Sequence, residues 1–479
     1  MEKVAAEQTF SRVTLTALVV GSMVGAGIFS LPGRFGGATG PFGAIIAWII
    51  AGGGMLMLAF VFQNLAVRKP DIDAGIYAYA QAGFGNYPGF AAAFGFWAGT
   101  CLGNVTYFVL IMSTVGGLFP ILGDGNTIPA IIASSVILWS VHFMILRGIK
   151  EAAFINKVVT FAKIIPIFLF IIIMAFAFQK DLFVASFWGG GEQSYGWREI
   201  FDQVRSTMLV TVFVFIGIEG ASVYSRFAKK REDVGFATVL GFIGVLLLLV
   251  MVTLLPYGVM LRPELADLRQ PSMAGVLSAV VGPWGAWFIS VGLIVSVMGA
   301  FLAWTLFAAE VLFAASKSNL VPKWIDYENE NQVPSRSLWL SNGLVQVLLI
   351  VTLFSQYAFN LSLEMTSAMT LIPYALVAAY AVKLTITRET YGADDGACRK
   401  DKIWASIATV YALFMIWAGG LDKLLLSAIL FAPGTLMFIF SRREQGLQTF
   451  TSVEKALFAV VLVGAAIGIV GLATGLIRI

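Results

Sequence analysis

Residues 14–32 read TLTALVVGSMVGAGIFSLP, from Thr14 to Pro32, and the way this stretch treats its own backbone decides the fold. It is apolar enough to cross a bilayer, yet Gly21, Ser22, Gly25 and Gly27 crowd its middle, where a membrane helix ordinarily keeps strong helix formers. The expectation is a helix that opens. Backbone without helical hydrogen bonds is tolerated at membrane depth only where it is buried in protein or lines a cavity, so an opening there marks a site and not a lipid-facing surface. Gly21 and Gly25 also form a GxxxG spacing suited to close helix packing. Packing alone accounts poorly for four small residues that lie on several faces of the helix.

The rest of the chain is of the same kind. Of its 479 residues 59% are hydrophobic and 12% charged, with a mean hydropathy of +0.87, which excludes an ordinary soluble domain and implies a polytopic membrane protein. The net charge of +4 therefore bears on topology, and no basic patch with interleaved aromatics points to nucleic acid. Cys101 lies in a hydrophobic segment and Cys398 in a charged loop, so no disulfide framework is expected. The N-terminal MEKVAAEQTFSR lacks a cleavage-site pattern and reads as retained.

Windows of about 20 apolar residues, the length that spans a bilayer, fall near 12–36, 41–66, 87–115, 127–146, 156–180, 203–226, 234–258, 284–316, 337–357, 361–385, 403–420, 421–440 and 454–477. That predicts thirteen spans, with a short turn at Asp422 and Lys423 inside the pair at 403–440. Of the 31 Lys and Arg residues, 22 fall in the loops on the N-terminal side and 8 on the other, with Lys163 inside a span, so the N-terminus is expected in the cytoplasm.

Five spans after the first interruption comes a second, FVFIGIEGAS from Phe213 to Ser222, with Gly217, Glu219 and Gly220 at mid-membrane. Two glycine-broken spans separated by four intact ones fit a five-plus-five inverted repeat followed by three accessory helices. No HExxH, no P-loop and no ring of charge suited to a pore filter is present, which leaves neither an enzyme nor primary transport nor a channel as a strong reading.

The GSMVGAGIF run, the FIGIEGAS run, AWTLFAAEVLFAASKSNLVPKW at 303–324 and LIPY at 371–374 occur in order. Together they resemble the amino acid–polyamine–organocation superfamily, and in it the basic amino acid and amine antiporters, with Leu18–Pro32 most similar to bacterial arginine:ornithine antiporters. The resemblance implies an all-α transporter of the leucine transporter type: a cytoplasmic N-terminus at 1–11, a first repeat at 12–180, a second at 203–385 and accessory helices at 403–479. It implies a bacterial cytoplasmic membrane location, small cationic amino acids as partners, a homodimer as an allowed assembly, and no cofactor or metal. The expected activity is exchange of a cationic amino acid for a related amino acid or amine. Proton-coupled symport and a sensor that binds without translocating stand beside it.

An amino acid zwitterion needs donors for its carboxylate and acceptors for its ammonium, and a broken helix offers both. The expected donors are the N–H groups of Ala26 and Gly27, helped by Ser22; the expected acceptors are the carbonyls of Met23, Phe213 and Ile216. Relatives often carry serine where this chain has Ala26. The family motif positions Trp304 to stack on a guanidinium or cover an alkyl ammonium, and resemblance aligns Asn104 and Thr366 as side-chain acceptors, with Tyr107 one turn after Asn104 and Phe213 as a lid. Each has a plainer reading, Trp304 and Phe213 as packing aromatics and Thr366 as a hydroxyl bonded to its own helix. Glu219 and Lys163 sit inside spans, where a charge is costly without a partner, and are assigned to gating or coupling. For Lys163 the resemblance implies a tethered replacement for a sodium ion, with carbonyls near Gly21 and Ser22 as its acceptors. Glu364, near a helix end, is expected to face water, and His142, the single histidine, to be structural.

Overall fold

The computed structural model describes residues 12–72, 76–148, 152–189, 196–218, 231–392 and 395–478. Nearly all of them are helical. The first span is two pieces, Arg12–Met23 and, after a gap at Val24 and Gly25, a tight turn of helix at Ala26–Ser30 that continues as Leu31–Ala38. Then follow Pro41–Arg68, Asn86–Gly116, Ile128–Leu146, Ala152–Ala177, Trp197–Phe215, Arg231–Leu254, Pro283–Lys317, Ser335–Val351, Ala358–Thr387, Asp395–Ala418, Leu421–Glu444 and Ser452–Ala473, the second to thirteenth spans.

Among the described residues nine helices are each long and apolar enough to cross a membrane. Of the other spans, the first is broken, the sixth opens with Trp197-Arg198-Glu199 and the eleventh with Asp395, Arg399, Lys400, Asp401 and Lys402. Four short helices, Ile76–Phe84, Lys180–Ala185, Arg262–Ala266 and Ser272–Val281, were invisible to windows of membrane length. The turn between the eleventh and twelfth spans lies at Gly419 and Gly420, where Gly420 takes φ +88°, and Asp422 and Lys423 begin the next helix. Cys398 lies in the first turns of the eleventh helix and not in a loop; it and Cys101 are buried and unpaired.

The third span is the central post. Its membrane-spanning window is 94% buried, against 17% for the thirteenth, which therefore faces outward from the bundle. The tenth span packs along the third, and the eighth packs on it from another side. Around this post the second half of the first span is pinned from its end. Arg262 donates from Nε to the carbonyl of Gly36 at 3.0 Å and from its terminal nitrogens to the carbonyls of Gly37 and Gly189, which satisfies carbonyls left open at the end of helix Leu31–Ala38. The hydroxyl of Tyr257 donates to the Thr39 carbonyl at 2.7 Å, and the Gly33 N–H donates to Ser272 Oγ at 2.9 Å. The half-span after the break is thus held by the segment that joins the seventh and eighth spans.

Candidate functional site

The two interruptions meet. The sixth helix ends at Phe215, Ile216 turns out of helical geometry at ψ 131°, and Gly217 takes φ +108°, a conformation that side-chain-bearing residues rarely adopt. A Cβ on Gly217 would lie 2.6 Å from the carbonyl oxygen of Ser22. One on Gly27 would lie 2.6 Å from Val214 and 2.8 Å from the Phe213 ring. The glycines therefore allow backbone contact between the first and sixth spans that no other residue permits. Ser22 completes the junction: its Oγ lies 2.9 Å from the Gly217 carbonyl and 2.8 Å from the Val19 carbonyl.

Beside this junction lies a small, partly open cavity. Ser22, Met23, Ala26, Gly27, Tyr107, Phe213, Ile216, Trp304 and Thr366, nine of the ten residues expected to bind substrate, line it. Ala26 and Gly27 open the second half of the first span, so their N–H groups have no carbonyl one turn earlier to bond. Trp304 is half-buried and meets Phe307 edge to face at 5.5 Å, which fixes the tilt of its indole. None of the lining residues carries an ionised side chain. Among the described residues no group of three or more His, Cys, Asp or Glu is placed to hold a metal ion.

Four placements differ from expectation. Asn104 is buried but lies off the cavity wall: one position beyond Gly103, it is turned about 100° around the helix, and its Nδ2 donates to Thr305 Oγ1 on the eighth span at 3.3 Å. Ser22 spends its single proton on backbone carbonyls, so it braces the junction and does not donate to a carboxylate. The Phe213 carbonyl already accepts at 3.3 Å from the Ile216 N–H, which it shares with Val212, so it offers a substrate one remaining lone pair. Glu364 does not simply face water; its carboxylate accepts from Arg34 at 2.6 Å and from Lys423 at 3.3 Å, tying the end of the first span to the tenth and twelfth. Glu219 lies outside the described residues.

Lys163 is buried, and its ammonium donates to the carbonyl of Gly21 at 2.9 Å, in the last turn before the break. His142 is buried between Trp139 and Trp339, with Nδ1 3.0 Å from Asn342 Nδ2, away from the cavity lining. The residues that sequence reasoning missed in the wall are Gly25, Gly99, Thr100, Gly103, Val214 and Thr370. Two of the pairs carry a signal that was there to find: Gly99 with Gly103 and Thr366 with Thr370 are each four apart, one small face and one hydroxyl face at the same helical spacing.

Comparison with known proteins gives the family of this chain. The family model for amino acid permeases matches residues 10–437. The chain belongs to the amino acid permease family. Within that family it is 52% identical over 471 residues to the arginine/ornithine antiporter of Pseudomonas aeruginosa, covering 97% of each chain. It is 40% identical to the L-lysine transport protein of Corynebacterium glutamicum, covering 98% of this chain and 96% of that one. The arginine/agmatine antiporter of Chlamydia trachomatis is 38% identical, covering 95% and 94%. Among solved structures, MhsT in complex with L-phenylalanine superposes with a TM-score of 0.59 over 87% of this permease and all of that chain, at 14% identity. That match speaks for the fold alone: the five-plus-five inverted-repeat fold of the leucine transporter type, here followed by three further helices. The permease is a multi-pass membrane transporter and not an enzyme.

Proposed function

We propose that this permease exchanges arginine for ornithine across a bacterial cytoplasmic membrane by alternating access, with its N-terminus in the cytoplasm. The observation that carries the reading is the cavity itself, where free N–H groups of a broken helix stand opposite an indole and three threonine hydroxyls. The substrate carboxylate sits on Ala26 and Gly27, and its ammonium on the carbonyls left open by Met23 and Ile216 together with the free lone pair of Phe213. The side chain stacks on Trp304, a contact whose worth rises when water is excluded. Phe213, packed on Gly27, covers the bound molecule. The repeats would run from 12 to 180 and from 203 to 385. The 52% identity over nearly the full length to a protein named as an arginine/ornithine antiporter supports the substrate pair, and the relative named as an arginine/agmatine antiporter supports arginine alone.

The test is release of radiolabelled ornithine from liposomes holding the purified protein. External arginine should accelerate release, without a sodium or proton gradient. Release that needs a pH gradient would make the protein a symporter, and binding without release would make it a sensor; either result ends the exchange reading.

Trp304→Ala should weaken arginine by roughly 1–3 kcal/mol, about 5- to 150-fold, since burial and cation–π contact are both lost. Trp304→Phe should retain part of that. Apparent affinities from concentration-dependent exchange decide the matter, and an alanine variant with the wild-type value would show that the side chain lies elsewhere.

A further inference from the structure

The wall formed by the third and tenth spans has one-sided hydrogen-bonding chemistry. Thr100, Thr366 and Thr370 all line the cavity and all are buried. Each gives its proton to the carbonyl four residues earlier in its own helix: Thr100 to Phe96 at 2.8 Å, Thr366 to Ser362 at 2.7 Å and Thr370 to Thr366 at 2.8 Å. A hydroxyl has one proton and two lone pairs, so these three present only lone pairs to the cavity. Beside them the Nδ2 of Asn104 is given to Thr305, and its buried Oδ1 has no partner. The spacing of the wall is set by Gly99 and Gly103. A Cβ on Gly99 would lie 2.9 Å from Thr370 Oγ1, and one on Gly103 3.5 Å from the Thr366 methyl. The two glycines let the threonine row of the tenth span lie directly on the third. Free N–H donors sit apart from this wall, at the start of the second half of the first span.

We propose that Thr100 and Thr370, together with Thr366, form an acceptor-only wall that selects substrate side chains ending in N–H donors and rejects neutral side chains of the same shape that carry an oxygen. The inference rests on the binding site proposed above and adds to it the rule by which that site discriminates. A guanidinium offers five N–H groups and no acceptor, so every lone pair on the wall finds a proton. The ureido group of citrulline matches it in length and shape but replaces one nitrogen with an oxygen. It brings three N–H groups where the guanidinium brings five, so either lone pairs of the wall stay without a proton or the oxygen itself turns to the threonines, lone pair against lone pair. Sites that leave buried polar groups unpaired reject such analogues far more strongly than sites that sense size. The selection works without a carboxylate in the lining, so it distinguishes donor pattern as well as charge.

The experiment measures inhibition of labelled arginine exchange by unlabelled arginine and by citrulline in wild type, Thr100→Val, Thr370→Val and Thr370→Ser. Valine keeps the threonine shape and removes the lone pairs; serine restores them. The wild type should prefer arginine by at least about 100-fold. Each valine variant should lose about tenfold in arginine affinity with no loss for citrulline, narrowing the ratio, and Thr370→Ser should regain the wild-type ratio. Valine variants that keep the wild-type ratio would overturn the proposal and leave the cation–π contact with Trp304 as the discriminator; a wild type that takes both compounds equally would overturn it too. If the wild type does not exchange arginine for ornithine, the same ratio is read from arginine and citrulline binding to the detergent-purified protein, which separates failure of the wall from failure of the exchange reading.

Discussion

Replacing Lys163 by alanine should lower exchange by about tenfold to a hundredfold while the purified protein remains monodisperse in detergent, because a charged hydrogen bond at the break of the first span is lost. The ammonium donates to the Gly21 carbonyl at 2.9 Å in a buried setting. That carbonyl lies in the last turn before the gap at Val24 and Gly25, where the helix's own donors run out. In transporters with discontinuous helices, carbonyls in this situation coordinate a free cation. If the Lys163 ammonium on the Gly21 carbonyl takes the place of such an ion, exchange should proceed equally in sodium and in choline buffers. Lys163→Met, which keeps the bulk of the stem without the charge, should be as impaired as the alanine variant. A fully active alanine variant, or wild-type exchange that requires sodium, would remove lysine from the mechanism.

Gly217→Ala should be strongly destabilising, costing roughly 3 kcal/mol or more. Two penalties coincide there. The residue sits at φ +108°, and its Cβ would lie 2.6 Å from a backbone oxygen, that of Ser22, which cannot rotate away as a side chain would. Relief requires parting the first and sixth spans at the junction where the cavity begins. Gly21→Ala is the internal control. Gly21 lies within helix Arg12–Met23, and a Cβ there meets nothing within 4 Å among the described residues, so alanine should be neutral or stabilise by up to about 1 kcal/mol. Thermal unfolding of the two variants in detergent, followed by size-exclusion profile, should separate widely. Equal melting of Gly217→Ala and wild type would mean the two breaks do not touch.

The features legible in the sequence are those written in the backbone of a single segment. Four small residues in Gly21–Gly27 and the glycine at 217 disfavour helix locally, so both breaks were readable without knowing their neighbours. That Lys163 needs a partner was readable because an ammonium in a membrane span must find an acceptor; which carbonyls supply it came from the resemblance. What escaped depends on which side chains the fold sets opposite each other. The threonine row and the glycine face of the third span acquire meaning only when laid together. Asn104 was misplaced because a one-residue step turns a helical side chain to another neighbour, and resemblance does not fix that angle. Glu364 was read as water-facing because Arg34 lies 330 residues away in sequence. The short helices at 76–84 and 262–281 fell below the length that hydropathy windows detect, although Arg262 within the second pair closes the end of the first span.

That no ionised side chain occurs among the described residues lining the cavity has an electrical consequence. Those walls add no charge of their own, and where no charged group elsewhere moves with the site, the charge crossing the membrane in each half-cycle is that of the cargo. Arginine and ornithine each carry one net positive charge at neutral pH, and a one-for-one swap moves none. A membrane potential, worth about 2.3 kcal/mol per charge per 100 mV, would then neither drive nor brake the exchange. A potassium diffusion potential imposed on the liposomes should leave the initial rate unchanged, whereas a doubly charged amine as counter-substrate would make the same carrier voltage-sensitive. The polarity of the membrane would be felt through the choice of cargo alone.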